Sequence, residues 1–336
     1  MHLLKAGLSL LVIAASELTT SRLAHAEVIG KITPGGVVTT NDVAPNSGPL
    51  GITAGPNGNV WFTEQTSGKI AQITPGGAVS EYNLAPNSGP SGITTGPNGN
   101  VWFTEQTANK IGQITPGGVI TNEFPLGSNS GPMGISAGSD GNVWFTENTA
   151  ARVGRIMSGG SITEFSVSSN SGPLGITAGS DTNIWFTENL ANRIGRITPS
   201  GSITEFSVPT SSSGPSGITT GSDGNVWFTE QNADKIGQIT PGGVFKEYAL
   251  APNSGPLGIT AGPNGNVWFT EQAAGKIGQI TPGGVITEYG LSPGSHPLGI
   301  TTGSDGNLWF TPEPSCLVLA AMGLLVLAVT SWRRKA

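Results

Sequence analysis

The sequence predicts an all-β chain: a seven-bladed β-propeller with four strands per blade, one blade closed by N- and C-terminal strands. Three observations predict it. Seven tryptophans, Trp61, Trp102, Trp144, Trp185, Trp227, Trp268 and Trp309, recur at spacings of 41, 42, 41, 42, 41 and 41 residues, the period of a propeller blade. Each copy holds four short apolar runs parted by turn residues. The repeat is also cut, so that half a copy stands at each end of the repetitive region.

Composition narrows the field in the same direction. Among 336 residues there are 52 Gly and 24 Pro, and charged residues make up only 11%. A coiled coil, a helical bundle and a charged disordered tail are excluded by these values, and collagen by the lack of glycine at every third position. The net charge of −6 argues against nucleic acid, whose phosphates need a surplus of Lys and Arg.

Taken in order, residues 1–26 read as a secretory signal. Lys5 supplies the positive start, Ala6 to Ser16 an apolar stretch, and Ala24-His25-Ala26 a small-x-small cleavage site after Ala26. The propeller is expected over residues 27–311. In one copy the runs are Gly51 to Ala54, Val60 to Glu64, Lys69 to Ile73 and Ala78 to Tyr82. Pro56-Asn57-Gly58-Asn59, Thr66-Ser67-Gly68 and Pro75-Gly76-Gly77 separate them. Asn-Gly and Gly-Gly between β-favouring runs signal hairpins. Val60-Trp61-Phe62 is apolar on both faces, as blades stacked face to face require.

The half-copies set the closure. Ile29-Gly30-Lys31-Ile32-Thr33-Pro34-Gly35-Gly36 stands alone at the start, and the last Trp-Phe-Thr, ending at Thr311, stands alone at the other end. Together they complete one blade, and joining them removes the open edges that an unclosed array would expose. Six copies carry Glu after Trp-Phe-Thr (Glu64, Glu105, Glu147, Glu188, Glu230, Glu271) and a base five residues on (Lys69, Lys110, Arg152, Arg193, Lys235, Lys276). These are expected to face each other across a hairpin as structural ion pairs, with an acidic, metal-binding ring on the axis as the functional alternative. In the split copy both partners are replaced, by Pro312 and Val28.

Residues 312–336 have another character. Pro312-Glu313-Pro314 precedes an apolar run from Cys316 to Trp332 and then Arg333-Arg334-Lys335. That run just reaches the minimum of about 17 residues for crossing a bilayer core, and the basic cluster would stay cytoplasmic. The tail resembles the PEP-CTERM sorting signal of exported Gram-negative proteins. This resemblance implies an inner-membrane anchor, processing near Pro-Glu-Pro by an exosortase-type protease, and delivery to the cell envelope or extracellular matrix. Cys316 is the sole cysteine, so the propeller has no disulfide and depends on packing.

The repeat Gly-Ile-Thr-x-Gly-x-x-Gly-Asn-Val-Trp-Phe-Thr-Glu, followed by Ile-Gly-Arg-Ile-Thr-Pro-x-Gly-x-Ile-Thr-Glu-Phe, resembles the streptogramin B lyase (virginiamycin B lyase) family, most closely over Gly175 to Phe206. The resemblance spans residues 28–311. It implies a seven-bladed propeller that opens a cyclic depsipeptide by elimination with Mg²⁺. Such chemistry needs a base for the acidic proton and an acid or metal for the leaving carboxylate. The family's histidines belong to Pro-His-Gly-Ile or Pro-His-Ala-Ile motifs, and here the matching positions are Leu50, Ser91, Met133, Leu174, Ser216, Leu257 and Leu298. A family glutamate beyond the last Trp-Phe matches the stretch that here reads Pro312-Glu313-Pro314. His296, the one histidine after Ala26, aligns with an acidic, metal-associated position of the family and is the weak catalytic candidate.

Asp140-Gly141-Asn142, Asp223-Gly224-Asn225 and Asp305-Gly306-Asn307 read as turns, because one carboxylate per turn falls short of a Ca²⁺ site. No metal or other cofactor is predicted, Mg²⁺ entering only with the lyase alternative. Of the 21 acids Glu17 and Glu313 lie outside the propeller, as do Lys5, Arg22, Arg333, Arg334 and Lys335 of the 15 bases, leaving an acidic domain. The expected function is therefore an exported binding or scaffold module. Its mouth is lined by the four Leu, one Met and two Ser of the Pro-x-Gly-Ile loops, which suit a peptide, a polysaccharide or a hydrophobic small molecule. A sugar-lactone-hydrolase-like propeller is a third reading, disfavoured because near-identical blades do not build an asymmetric metal site.

Overall fold

Runs of five or six residues rich in Val, Ile, Trp and Phe alternate with Gly, Pro and Asn turns along the chain. In the computed structural model, which describes residues 27–312, they form seven four-stranded antiparallel sheets. Blade 1 consists of Pro49–Ala54, Val60–Glu64, Lys69–Ile73 and Val79–Asn83, from the inner to the outer strand. Blades 2 to 6 repeat this order, opening with Pro90–Thr95, Pro132–Ala137, Pro173–Ala178, Pro215–Thr220 and Pro256–Ala261. Blade 7 is split: Pro297–Thr302 and Leu308–Pro312 pair with Glu27–Ile32, and Val38–Val43 is the outer strand. The expected closure is thus observed, with Gly30, Lys31 and Ile32 opposite Phe310, Trp309 and Leu308. Pro312 belongs to the propeller, opposite Pro297, so the last strand runs one residue beyond the expected end at 311. The signal segment with Ala26, Glu313, Pro314 and the apolar tail lie outside the described residues.

The second strand, Val-Trp-Phe-Thr-Glu in most blades, is buried along its whole length in all seven. The reason lies in how blades stack. Trp61 and Ile70 of blade 1 pack with Ile93, Val101, Phe103 and Ile114 of blade 2, and the same cluster recurs at other junctions. At the closure, Ile29, Val43 and Trp309 of blade 7 meet Val60, Phe62 and Ile73 of blade 1. Core therefore lies between neighbouring sheets, and each inner strand contacts the inner strands on both sides. Turn side chains secure the tryptophans. Asp140, Asp181, Asp223 and Asp305 accept the indole N–H four residues on at 3.0–3.1 Å. Asn57, Asn98 and Asn264 do so at 3.1–3.3 Å. The Asp-Gly-Asn segments are turns, as expected.

Candidate functional site

The seven Pro-x-Gly-Ile segments begin the inner strands, so Leu50, Ser91, Met133, Leu174, Ser216, Leu257 and Leu298 occupy one equivalent position around the ring. Leu50, Met133, Leu174 and Leu257 remain partly exposed, whereas Ser91, Ser216 and Leu298 are buried. Ser91 Oγ lies 3.8 Å from Met133 Sδ, so neighbours on this ring touch from blade to blade.

A hydroxyl staple fixes the ring. In every blade the N–H of the Gly after x donates to the Thr of Trp-Phe-Thr at 2.8–2.9 Å. The same threonine hydroxyl donates to the x carbonyl of the next blade at 2.8–2.9 Å. Thr311 closes the circle on Leu50. Glycine is required after x, because a Cβ there would collide with the neighbouring x carbonyl. Sequence reasoning missed these threonines, although Thr follows Trp-Phe in all seven copies, including the one that has lost its Glu.

The acid–base pairs differ from expectation. The register does place Glu64 opposite Lys69, and likewise in the other blades. The bases nevertheless pair with the outer strand: Lys69 with Glu81, Lys110 with Glu123, Arg152 with Glu164, Arg193 with Glu205, Lys235 with Glu247 and Lys276 with Glu288. Only Arg152 also approaches its hairpin partner, 4.0 Å from Glu147. The six hairpin glutamates are 0% exposed. A long cationic side chain following them inward would lose its hydration, so it turns out to the more solvated acid instead. Burial pushes the carboxyls of Glu64, Glu105, Glu147, Glu188 and Glu230 up to about 7, and raises Glu271 in the same direction. The acids do not converge on a metal site: no three His, Cys, Asp or Glu side chains gather suitably among the described residues.

The residue after each buried glutamate is an amide that sequence reasoning overlooked. Gln65 donates to Gln106 and Gln231 to Gln272, each at 3.4 Å, while Asn148 and Asn189 donate to the carbonyls of Pro173 and Pro215 at 3.1 Å. A hydrogen-bonding but non-titrating rim thus spans blade junctions at the end of the ring that carries the x positions. His296 also lies at this end, exposed, its Nδ1 3.0 Å from the Gln272 carbonyl. It stands where the other six blades carry Gly and keeps the left-handed backbone, with φ of 30°. In blade 1 a Cβ at that position, Gly48, would strike Thr66; the counterpart of Thr66 in blade 7 is outside the described residues.

Sequence comparison decides the kinship. The virginiamycin B lyase family matches residues 9–170 and 85–318. The chain belongs to the virginiamycin B lyase family. A streptogramin B lyase structure is 39% identical, covering 88% of this chain and 97% of its own, with a TM-score of 0.79. Virginiamycin B lyase from Staphylococcus aureus is 41% identical over 85% of this chain and 96% of its own, at 0.77. A catalytically inactive histidine-to-alanine variant of the Staphylococcus aureus enzyme, solved with quinupristin, is 39% identical over 84% and 98%, at 0.76. No curated protein matches. This chain thus holds the virginiamycin B lyase fold with Leu, Met or Ser at every x of Pro-x-Gly-Ile.

Proposed function

We propose that the chain is a binding module on the virginiamycin B lyase scaffold, taking an apolar-faced ligand at its mouth without opening it. One observation carries this reading: all seven x positions hold Leu, Met or Ser, their hydrogen-bonded neighbours are threonine hydroxyls and amides, and the glutamates opposite the preceding Pro are fully buried. The lyase reading rests on likeness to the enzymes. It would assign the base to His296, whose ring nitrogen is engaged at the blade 6 carbonyl of Gln272. Among the described residues no three His, Cys, Asp or Glu side chains gather into a metal site, so a Mg²⁺ would rest on one or two carboxylates with water and ligand oxygens. Four partly exposed apolar side chains ringed by amides instead favour a peptide ring, a hydrophobic small molecule or a sugar face. The secretory signal and the Pro312-Glu313-Pro314 tail support export, exosortase-type processing and display at the envelope or matrix.

Quinupristin, the ligand of the related inactive enzyme, is the first probe. Calorimetric titration should show saturable binding, weakened at least about tenfold by Leu174→Asp or Leu257→Asp, since each places a charge against an apolar ligand. Equal affinity in wild type and both variants would move the binding site away from the mouth.

A further inference from the structure

Each junction between blades is capped from one turn. The loop entering an inner strand reads Asn-Ser-Gly-Pro at five junctions and Ser-Ser-Gly-Pro at a sixth, and its serine is buried at Ser47, Ser88, Ser130, Ser171, Ser213 and Ser254. The hydroxyl and nearby N–H groups of this loop face the residue at the start of the third strand of the preceding blade, one before the strand in blades 2, 4 and 5 and its first residue, Glu27, in blade 7. Glu27 Oε2 accepts from Ser47 Oγ at 2.7 Å and Gly48 N at 2.6 Å. Asn109 Oδ1 accepts from Ser130 Oγ and Gly131 N, both at 3.0 Å. Asn192 Oδ1 accepts from Ser213 N and Oγ at 2.8 and 2.9 Å, and Asp234 accepts from Asn253 N and Gly255 N at 2.8 Å. Four junctions thus cap this loop with a planar carboxylate or carboxamide: one oxygen takes the serine hydroxyl and the Gly N–H at Glu27 and Asn109, one takes the serine hydroxyl and N–H at Asn192, and both oxygens of Asp234 take backbone N–H groups.

Between blades 1 and 2 that residue is Gly68, which has no side chain. Ser88 Oγ, fully buried, meets no hydrogen-bond partner among the described residues. The same spot is open: a crevice of about 460 Å³ lined by Gly68, Asn83, Asn87, Ser88, Gly89 and Thr107, among others. A Cβ at Gly68 would stand 3.5 Å from Ser88 Oγ, so this hydroxyl is reached from where the missing side chain would start. At Ala151, the other capping residue without an acceptor that faces a fully buried serine, Leu190 packs against the following Gly172, the place taken by Thr107 at the Gly68 junction.

We propose that the Gly68 crevice is a binding site for a short-armed carboxamide or carboxylate, of the kind an Asn or Asp side chain of an extended peptide presents. Its oxygen takes the position held elsewhere by the Glu27 and Asn109 oxygens, and accepts from Ser88 Oγ and the Gly89 N–H as they accept from the matching serine and glycine. Acids stand at this position in two other blades, Glu27 and Asp234, bonded to the same loop, so a carboxylate fits the donors as well as a carboxamide does. The site lies off the axis, three residues before Ser91 of the mouth, and does not depend on what the mouth binds.

The test titrates ¹⁵N-labelled full chain with three blocked tripeptides, Ala-Asn-Ala, Ala-Asp-Ala and the isosteric control Ala-Leu-Ala, following the amide resonances of Gly68 and Gly89. Saturable shifts are expected with the Asn peptide, the Asp peptide or both, which separates carboxamide from carboxylate, and none with the Leu peptide. Ser88→Ala should weaken binding about tenfold, by loss of one buried donor. Gly68→Asn is the second variant: Asn109 and Asn192 already hold this left-handed conformation, with φ of 53° and 56° against 66° at Gly68. It should raise the melting temperature and abolish the peptide shifts. Absent shifts with both polar peptides, equal shifts with the Leu peptide, retained binding in Gly68→Asn, or a lowered melting temperature in that variant would each overturn the proposal.

Discussion

Single side chains hold this propeller together in two ways that make opposite predictions. Thr187 receives the Gly175 N–H at 2.9 Å and donates to the Ser216 carbonyl at 2.8 Å. Thr187→Val keeps the shape and leaves both backbone groups unpaired, so unfolding in denaturant should show a loss of about 1–3 kcal/mol. The buried glutamates act in reverse. Glu105 ionises at about 7 in the fold against 4.5 in its ordinary state, because burial disfavours the carboxylate. The folded state then binds more protons than the unfolded one across that interval, so stability is fullest below 4.5 and falls as pH rises through about 7. All six hairpin glutamates act in this direction. Glu105→Gln should make the decline of melting temperature with pH shallower, and a variant curve parallel to wild type would contradict the burial argument. Neither role was legible in the sequence. A Glu–Lys spacing announces a hairpin pair, but whether the carboxyl turns into the stack or out to solvent depends on the neighbouring blade, which no local pattern describes.

Strand by strand, the sequence was far more informative. The all-apolar Val-Trp-Phe run announced a strand buried on both faces, and the Asn-Gly and Asp-Gly turns announced hairpins, because both signals act within a few residues. The blade core adds an aromatic on the outer strand: Trp61 stacks on Tyr82 and Trp185 on Phe206, with ring centroids 5.7 Å apart. Blade 7 departs from this. Opposite Ile29, where blade 1 has Tyr82 opposite Ile70, stands Asn41, and Lys31 covers Trp309 at 5.0 Å. Arg155 and Arg196 share their tryptophans with an aromatic in blades 3 and 4, so a cation above the indole leaves room for a ring. Asn41→Phe should therefore add about 0.5–1.5 kcal/mol beyond its area burial, read as a higher denaturation midpoint. An unchanged or lowered midpoint would show that blade 7 is built to a different packing plan.

At the scale of the whole molecule, seven copies, one of them divided, make a ring in which Thr311 meets Leu50 just as Thr63 meets Ser91. The blade count and closure were legible because tryptophan spacing and the stranded half-copies are global properties written directly in the chain. The ring of x positions was legible in composition only; its threonine staple and amide rim come from contacts between blades. Kinship with enzymes and a mouth of Leu, Met and Ser together frame the central claim, which is binding without chemistry. The most direct measurement incubates the purified chain at high concentration with quinupristin and Mg²⁺. Elimination leaves the mass unchanged, so the ring-opened product is sought by chromatographic shift and fragmentation. The account predicts intact ligand at every time point, in wild type and in His296→Ala alike. A linear product formed by wild type and lost in His296→Ala would contradict it and make the chain a lyase.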